Sequence, residues 1–203
     1  MPKYTAKFFG TLDTIIDRTF TFDAYSRVYW REYGPLSVIP SDTRFSHSSW
    51  PFAVLYAAER YETGFCECIV RDNFNKYMDR TVPYAGIYDR DRAILQSQEA
   101  LTVIDLTGSN CQKMGIPVGV IRNTDHRAGR SFAKALFDYR PDVDAIKYPS
   151  RLEDGGLCVA VFERALYKID AIRTTPLNRL RETTRLLQDY RIQIRPESES
   201  ENG

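Results

Sequence analysis

The sequence predicts an α+β fold in a single domain. Three observations predict it. Apolar runs of strand length and stretches of helical period both occur, but not in a regular βαβ rhythm. No internal repeat or low-complexity linker divides the chain. With 203 residues it can bury roughly 70% of its unfolded surface in one core, so neither disulfides nor a metal is needed to complete the fold.

Taken in order, Ala24–Trp30 alternates, with Tyr25, Arg27 and Tyr29 on one side and Ser26, Val28 and Trp30 on the other, which predicts a strand. Turn residues follow at Gly34-Pro35 and Pro40-Ser41-Asp42. Phe52–Tyr56 predicts a short apolar strand. Ala58–Val70 predicts a helix, because Tyr61, Phe65 and Ile69 recur at i, i+4 and i+8. Asn73–Gln98 is polar and rich in Asp and Arg, and predicts a long loop or irregular insertion. Leu101–Leu106 predicts a strand. Arg127–Tyr139 predicts a helix with Phe132, Ala133, Leu136 and Phe137 as its apolar stripe. Val143–Tyr148 and Leu157–Phe162 predict two more strands, separated by turn residues at Pro149-Ser150 and Asp154-Gly155-Gly156. Thr175-Pro176 predicts the start of a helix through Tyr190, with Leu177, Leu180 and Leu187 inward and arginines outward. Residues 196–203 are polar and acidic and predict a disordered tail, leaving 1–195 as the folded domain.

Composition narrows the function classes. The chain is 43% hydrophobic, 13% aromatic and 27% charged, which suits a soluble globular protein. Lys+Arg 28 against Asp+Glu 27 gives a formal charge of +1, which argues against a mainly electrostatic DNA binder or a polybasic membrane binder. No window approaches 18 consecutive apolar residues, and the N-terminal stretch lacks the apolar run of a secretory signal. Cys66, Cys68, Cys111 and Cys158 form no zinc-type pair, and the only histidines are His47 and His126. The expectation is a reduced, cytoplasmic, metal-free protein. A P-loop, a strand-associated GxGxxG, a GxSxG elbow and an HExxH helix are all missing from the sequence, so any bound nucleotide must be held by side chains, chiefly arginine.

Four local features carry polar chemistry. Arg27, on its tyrosine-flanked strand, reads either as a phosphate clamp or as an arginine on a wet strand face. Thr43-Arg44-Phe45-Ser46 offers a guanidinium and hydroxyls in a loop, or a plain connection. Glu67 falls some 200° around the helix from Phe65, away from the apolar stripe, where it either pairs with Arg71 or faces a site. Gly64 favours the second reading, because a mid-helix glycine costs about 1 kcal/mol relative to alanine and marks close approach by another group. Ser150, in Tyr148-Pro149-Ser150-Arg151, is a turn serine that can also reach a ligand.

In order along the chain, these features resemble the RES-domain family: an arginine strand, a loop arginine, Val54-Leu55-Tyr56-Ala57, a glutamate eleven residues after that tyrosine, and Tyr148-Pro149-Ser150-Arg151 before an apolar strand. Asp105-Leu106 and Ile146-Lys147-Tyr148-Pro149-Ser150 resemble further family segments. The likeness covers Tyr25 to Phe162. Thr43-Arg44-Phe45-Ser46 stands where the family often shows Gly-Arg-Trp-Asn.

The resemblance implies a fold related to ADP-ribosyltransferases, with a mixed split sheet and flanking helices, and a bacterial toxin of a toxin–antitoxin pair that consumes NAD⁺ as substrate. It implies catalytic roles for Glu67 and Arg27 and binding roles for Arg44, Tyr56 and Ser150. The implied partner is an antitoxin with a helix-turn-helix DNA-binding domain, with homo-oligomers within the complex. The acceptor of ADP-ribose is left open among water, phosphate and a protein side chain. A reading of another class, a non-enzymatic binding module, rests on Arg179, Arg181, Arg185 and Arg191 near the C-terminus.

Overall fold

The computed structural model describes residues 4–71 and 80–196. Ten strands are described: β1 (Ile16–Phe20), β2 (Tyr25–Trp30), β3 (Val54–Ala58), β4 (Thr81–Pro83), β5 (Arg90–Ser97), β6 (Leu101–Asp105), β7 (Ala145–Pro149), β8 (Leu157–Phe162), β9 (Ile169–Pro176) and β10 (Gln193–Arg195). Eight of them form one sheet in the order β1-β6-β7-β8-β3-β2-β5-β9, and β10 pairs with β4 in a small parallel sheet. Within the large sheet only β6 and β7 run parallel, joined by a crossover that contains the helix Arg127–Tyr139. This is the α+β fold that the sequence predicts, with the mixed, split sheet that the resemblance implies.

The split lies between β2 and β3. β2 pairs with β5 along Tyr25–Trp30, and β3 pairs with β8 along Val54–Ala58, but β2 and β3 meet only at Ser26 opposite Ala58. Beyond that pair the two halves of the sheet diverge and leave room for a cleft.

The helix Arg127–Tyr139 forms where its period predicts. Phe132, Ala133 and Leu136 are fully buried against Phe9, Ile146 and Phe162, an arrangement in which each large apolar side chain stabilises by about 2–3 kcal/mol. Its first turn is capped by Asp125, whose carboxylate accepts from the Arg127 amide at 3.0 Å. Its C-terminal end is closed by Arg164, which donates to the carbonyls of Phe137, Arg140 and Val143 and satisfies groups the helix leaves open. A second cluster, including Leu55, Leu95, Val103 and Val161, covers the opposite face of the sheet.

Three expectations need correction. The stretch Asn73–Gln98 is not a loop throughout: residues 73–79 lie outside the described residues, but Arg90–Ser97 is an eight-residue strand between β2 and β9. Its alternation is real but carried by charged partners. Asp91, Ala93 and Leu95 are buried on one side; Asp91 accepts from Arg31 at 2.9 Å, while Arg92 donates to Ser26 and lies over the Tyr61 ring. Thr175-Pro176 ends strand β9 rather than starting a helix. A short turn, Leu177–Arg179, intervenes, and the helix is Arg181–Asp189. Leu177 and Leu186 are buried there, with Leu180 and Leu187 packed alongside. The helix expected over Ala58–Val70 begins at Tyr61 and widens into a π-helical turn over Cys66–Val70. Residues 197–203 of the expected tail lie outside the described residues.

Candidate active site

Tyr61, Phe65 and Ile69 are buried as their spacing predicts and anchor their helix against Val28, Ile87 and Leu186. That fixes the opposite side of the helix over the split in the sheet. Gly64 faces the split, where a Cβ would stand 3.4 Å from the Ser26 carbonyl oxygen and 3.7 Å from the Ala58 Cβ, ordinary van der Waals contact, so the approach does not require glycine. Glu67 lies in the π-helical turn, a feature frequent at functional sites.

The result is a cleft of about 600 Å³, open solvent at its mouth included, which is within the size range of small-molecule sites. It is lined by Ser26 and Val28 of β2, Tyr56–Ala58 of β3, Thr43 and Arg44 of the loop between them, Gly64, Glu67, Cys68 and Arg71 of the helix, Tyr148 of β7 and Cys158 of β8.

Glu67 and Ser150 are joined directly. The Ser150 hydroxyl donates to Glu67 Oε1 at 2.7 Å, and the Arg151 amide donates to the same oxygen at 3.3 Å. Ser150 Oγ accepts in turn from the amides of Leu152 and Glu153 at 3.1 and 3.2 Å, so its single proton is directed at the carboxylate. The turn itself is tied to the helix, because Glu153 accepts from Arg60 and Thr63.

Tyr56 and Arg44 share one local framework. The Tyr56 hydroxyl accepts from the Phe45 amide at 2.9 Å and is hydrogen-bonded to the Thr43 hydroxyl at 2.8 Å, while Arg130 donates to the Thr43 carbonyl at 2.9 Å. Arg44 is buried and donates to the Ile121 carbonyl. Burial pushes its guanidinium below the usual arginine range, with Tyr148 and Glu67 opposing that shift and Arg151 adding to it. Gly129 makes the packing possible: a Cβ there would stand 2.6 Å from the Arg44 carbonyl oxygen. Tyr148 packs edge-on against Phe45, with ring centroids 5.1 Å apart.

Positive charge collects at this end of the molecule. Burial, followed by the charges of Arg44, Arg71, Arg130 and Arg151, pushes the His126 imidazole down to about 4. Among the cysteines, burial raises Cys66 and Cys158 well away from thiolate character.

Of the residues singled out from sequence, Glu67, Arg44 and Tyr56 line the cleft, and Ser150 joins it through Glu67. Arg27 does not line it. It alternates with the cleft-lining Ser26 and Val28, and its Nη2 donates to the Ser37 carbonyl at 2.8 Å. Burial lowers its pKa to about 10, so it stays charged at neutral pH. Strand alternation told which residues share a side with Arg27, but not which side faces the cleft. Tyr148, Cys158 and the Arg151 amide were not singled out as site groups. Tyr148 and Arg151 flank Ser150 in the motif, whereas no local signal marks Cys158.

The C-terminal arginines Arg179, Arg181, Arg185 and Arg191 are exposed, interleaved with Glu182 and Asp189, and Arg185 pairs with Asp189 at 3.3 Å. Among the described residues, no group of three or more His, Cys, Asp or Glu side chains is placed to hold a metal ion, and no helix is long and apolar enough to cross a membrane.

No curated protein sequence matches this chain. By structure it is similar to a chain of the M. tuberculosis MbcT–MbcA toxin–antitoxin complex, with a TM-score of 0.65 at 12% identity, covering 84% of this chain and 91% of that one. A likeness at that identity speaks to the fold. The sequence speaks to the family: the RES domain model matches residues 22–181, a span that holds β2, β3, the Glu67 helix and the Ser150 turn, and the chain belongs to the RES-domain family.

Proposed function

We propose that this protein is the toxin of a toxin–antitoxin pair and that it cleaves the nicotinamide–ribose bond of NAD⁺. The observation that carries the reading is the Glu67 carboxylate, held by the Ser150 hydroxyl and the Arg151 amide beside a cleft that also presents Tyr56, Tyr148 and Arg44. Family membership and the fold shared with a chain of a toxin–antitoxin complex support it.

Breaking an N-glycosidic bond builds positive charge at the anomeric carbon. Glu67 stabilises that charge through its carboxylate, a role that needs a fixed anion rather than a mobile one. Ser150 and the Arg151 amide fix it. Nicotinamide leaves as a neutral base, so the site needs no strong general acid. Tyr56 packs against the nicotinamide or ribose. Arg44 holds the anionic part of the dinucleotide. Arg27 braces, through Ser37, the segment that leads to Thr43 and Arg44.

Water or phosphate is the favoured acceptor, and transfer to a cellular protein is the alternative. The partner is an antitoxin with a helix-turn-helix domain, acting in the cytoplasm. Expression of the wild-type chain is expected to arrest growth and deplete cellular NAD⁺, and Glu67→Gln to do neither. Growth arrest with unchanged NAD⁺ and modified proteins would move the reading to the transferase.

A further inference from the structure

Beside the cleft lies a second hollow, about 810 Å³ with open solvent included, bounded by Arg122, Ser150, Arg151, Leu152, Glu153 and Asp154. The two meet at the Glu67–Ser150 hydrogen bond. We infer that this hollow is the diphosphate compartment of the site, with Arg151 as the group that binds the anion and Arg122 at its rim. The inference rests on the NAD⁺ reading and extends it to the side chains of Arg151 and Arg122, which that reading does not use.

Three observations carry it. First, Arg151 Nη1 is buried and has no hydrogen-bond partner among the described residues. Arg27 Nε and Arg164 Nε are orphaned as well but line neither hollow, so it is the orphan beside open space that points to an acceptor arriving with a ligand. Second, the hollow's own acids leave that position to an anion. Glu153 is already held by Arg60 and Thr63, and Asp154 is solvent-exposed. Third, Arg44 and Arg151 act on each other as like charges, and both act on His126 together with Arg71 and Arg130. Arg44 and Arg71 line the adjoining cleft and Arg151 this hollow, so an anion at their junction lies among guanidiniums.

The chemistry fits a dinucleotide. Guanidinium is the side chain best suited to grip phosphate oxygens in pairs. In NAD⁺ a single ribose separates the scissile bond from the diphosphate. Here one turn supplies both the hydroxyl that fixes Glu67 and the guanidinium beside it. Arg27, the other candidate for this task, lines neither hollow, and its Nη2 donates to the Ser37 carbonyl.

The test is calorimetric titration of the wild type, Arg151→Gln and Arg151→Lys with ADP-ribose at several salt concentrations, with thermal unfolding as the check on folding. Arg151→Gln is expected to bind about 10- to 100-fold more weakly, as for loss of a hydrogen bond to a charged group. Its affinity should also depend less on salt, and Arg151→Lys should fall between the two. Unchanged affinity in Arg151→Gln would overturn the compartment while leaving the NAD⁺ reading standing. A loss with the wild-type salt dependence would also overturn it, because it would mark a structural effect. A folded wild type that binds no ADP-ribose would remove the NAD⁺ reading and this inference with it.

Discussion

Ser150 Oγ donates to Glu67 Oε1 across 2.7 Å, although the two residues are 83 positions apart and sit on different elements. The contact joins a π-helical turn on one half of the split sheet to a tight turn at the end of β7 on the other. The candidate site is therefore an interface between two halves, and its geometry depends on how each half is held.

Ser150→Ala removes the donor that orients the carboxylate and the acceptor that organises the turn. Turnover of NAD⁺ is expected to fall about 10-fold or more, with about 1 kcal/mol lost in stability. In a Glu67→Gln background the same change should cost little further activity, because the two groups act as a unit. A double-mutant cycle on nicotinamide release checks this, and strict additivity would contradict it.

Gly129→Ala places a methyl group 2.6 Å from the Arg44 carbonyl oxygen and 2.9 Å from the Val120 carbonyl oxygen, both on the backbone. Neither can swing aside as a side chain can. The expected cost is about 1–3 kcal/mol in denaturant unfolding, as for overpacking, with a raised KM for NAD⁺ as Arg44 is displaced.

Phe132→Ala empties a fully buried position that touches Phe9 and Tyr4 at ring-centroid distances of 5.8 and 5.4 Å. It should cost about 3–5 kcal/mol in denaturant unfolding. Because Phe132 does not itself line the cleft, the protein that remains folded should retain its KM.

His126 makes a prediction about pH. Its imidazole is pushed down to about 4 in the folded protein, by burial first and then by the surrounding arginines. An unfolded imidazole titrates near 6.5. Between those values the unfolded chain takes up a proton that the folded chain refuses, so stability falls as pH drops from about 6.5 to about 4 and then levels off. Thermal unfolding midpoints of wild type and His126→Gln should differ only by a constant offset near neutrality and separate as pH falls toward 4, with the wild type losing the more stability. The carboxylates of Asp13, Asp42, Asp125 and Asp142 are held below their usual range, so their contribution is lost at still lower pH.

Much of this fold was legible where apolar alternation or period was undiluted. β2, β3, β6, β7 and β8 and the helix Arg127–Tyr139 all follow such patterns. β5 was not legible because Asp91 is buried against Arg31 and Arg92 lies over Tyr61, so a strand presents itself as a charged loop. β9 was hidden for a related reason: as an edge strand it exposes Ile172, Arg173 and Thr174 in succession, which erases alternation. The start of the last helix was misread because Pro at a first helical turn and Pro at a strand end look alike locally. The convergence of Glu67 and Ser150 is a tertiary contact that no local spacing encodes, and only the family likeness foretold it. The orphaned donor of Arg151 could be found only with coordinates.

The most direct test of the account is nicotinamide release from NAD⁺ by purified wild-type and Glu67→Gln proteins of equal thermal stability, with products resolved with and without phosphate. The account predicts release by the wild type and a loss of about 100-fold or more in Glu67→Gln, the scale expected for removing a charge-stabilising group. Near-wild-type release by Glu67→Gln would contradict it.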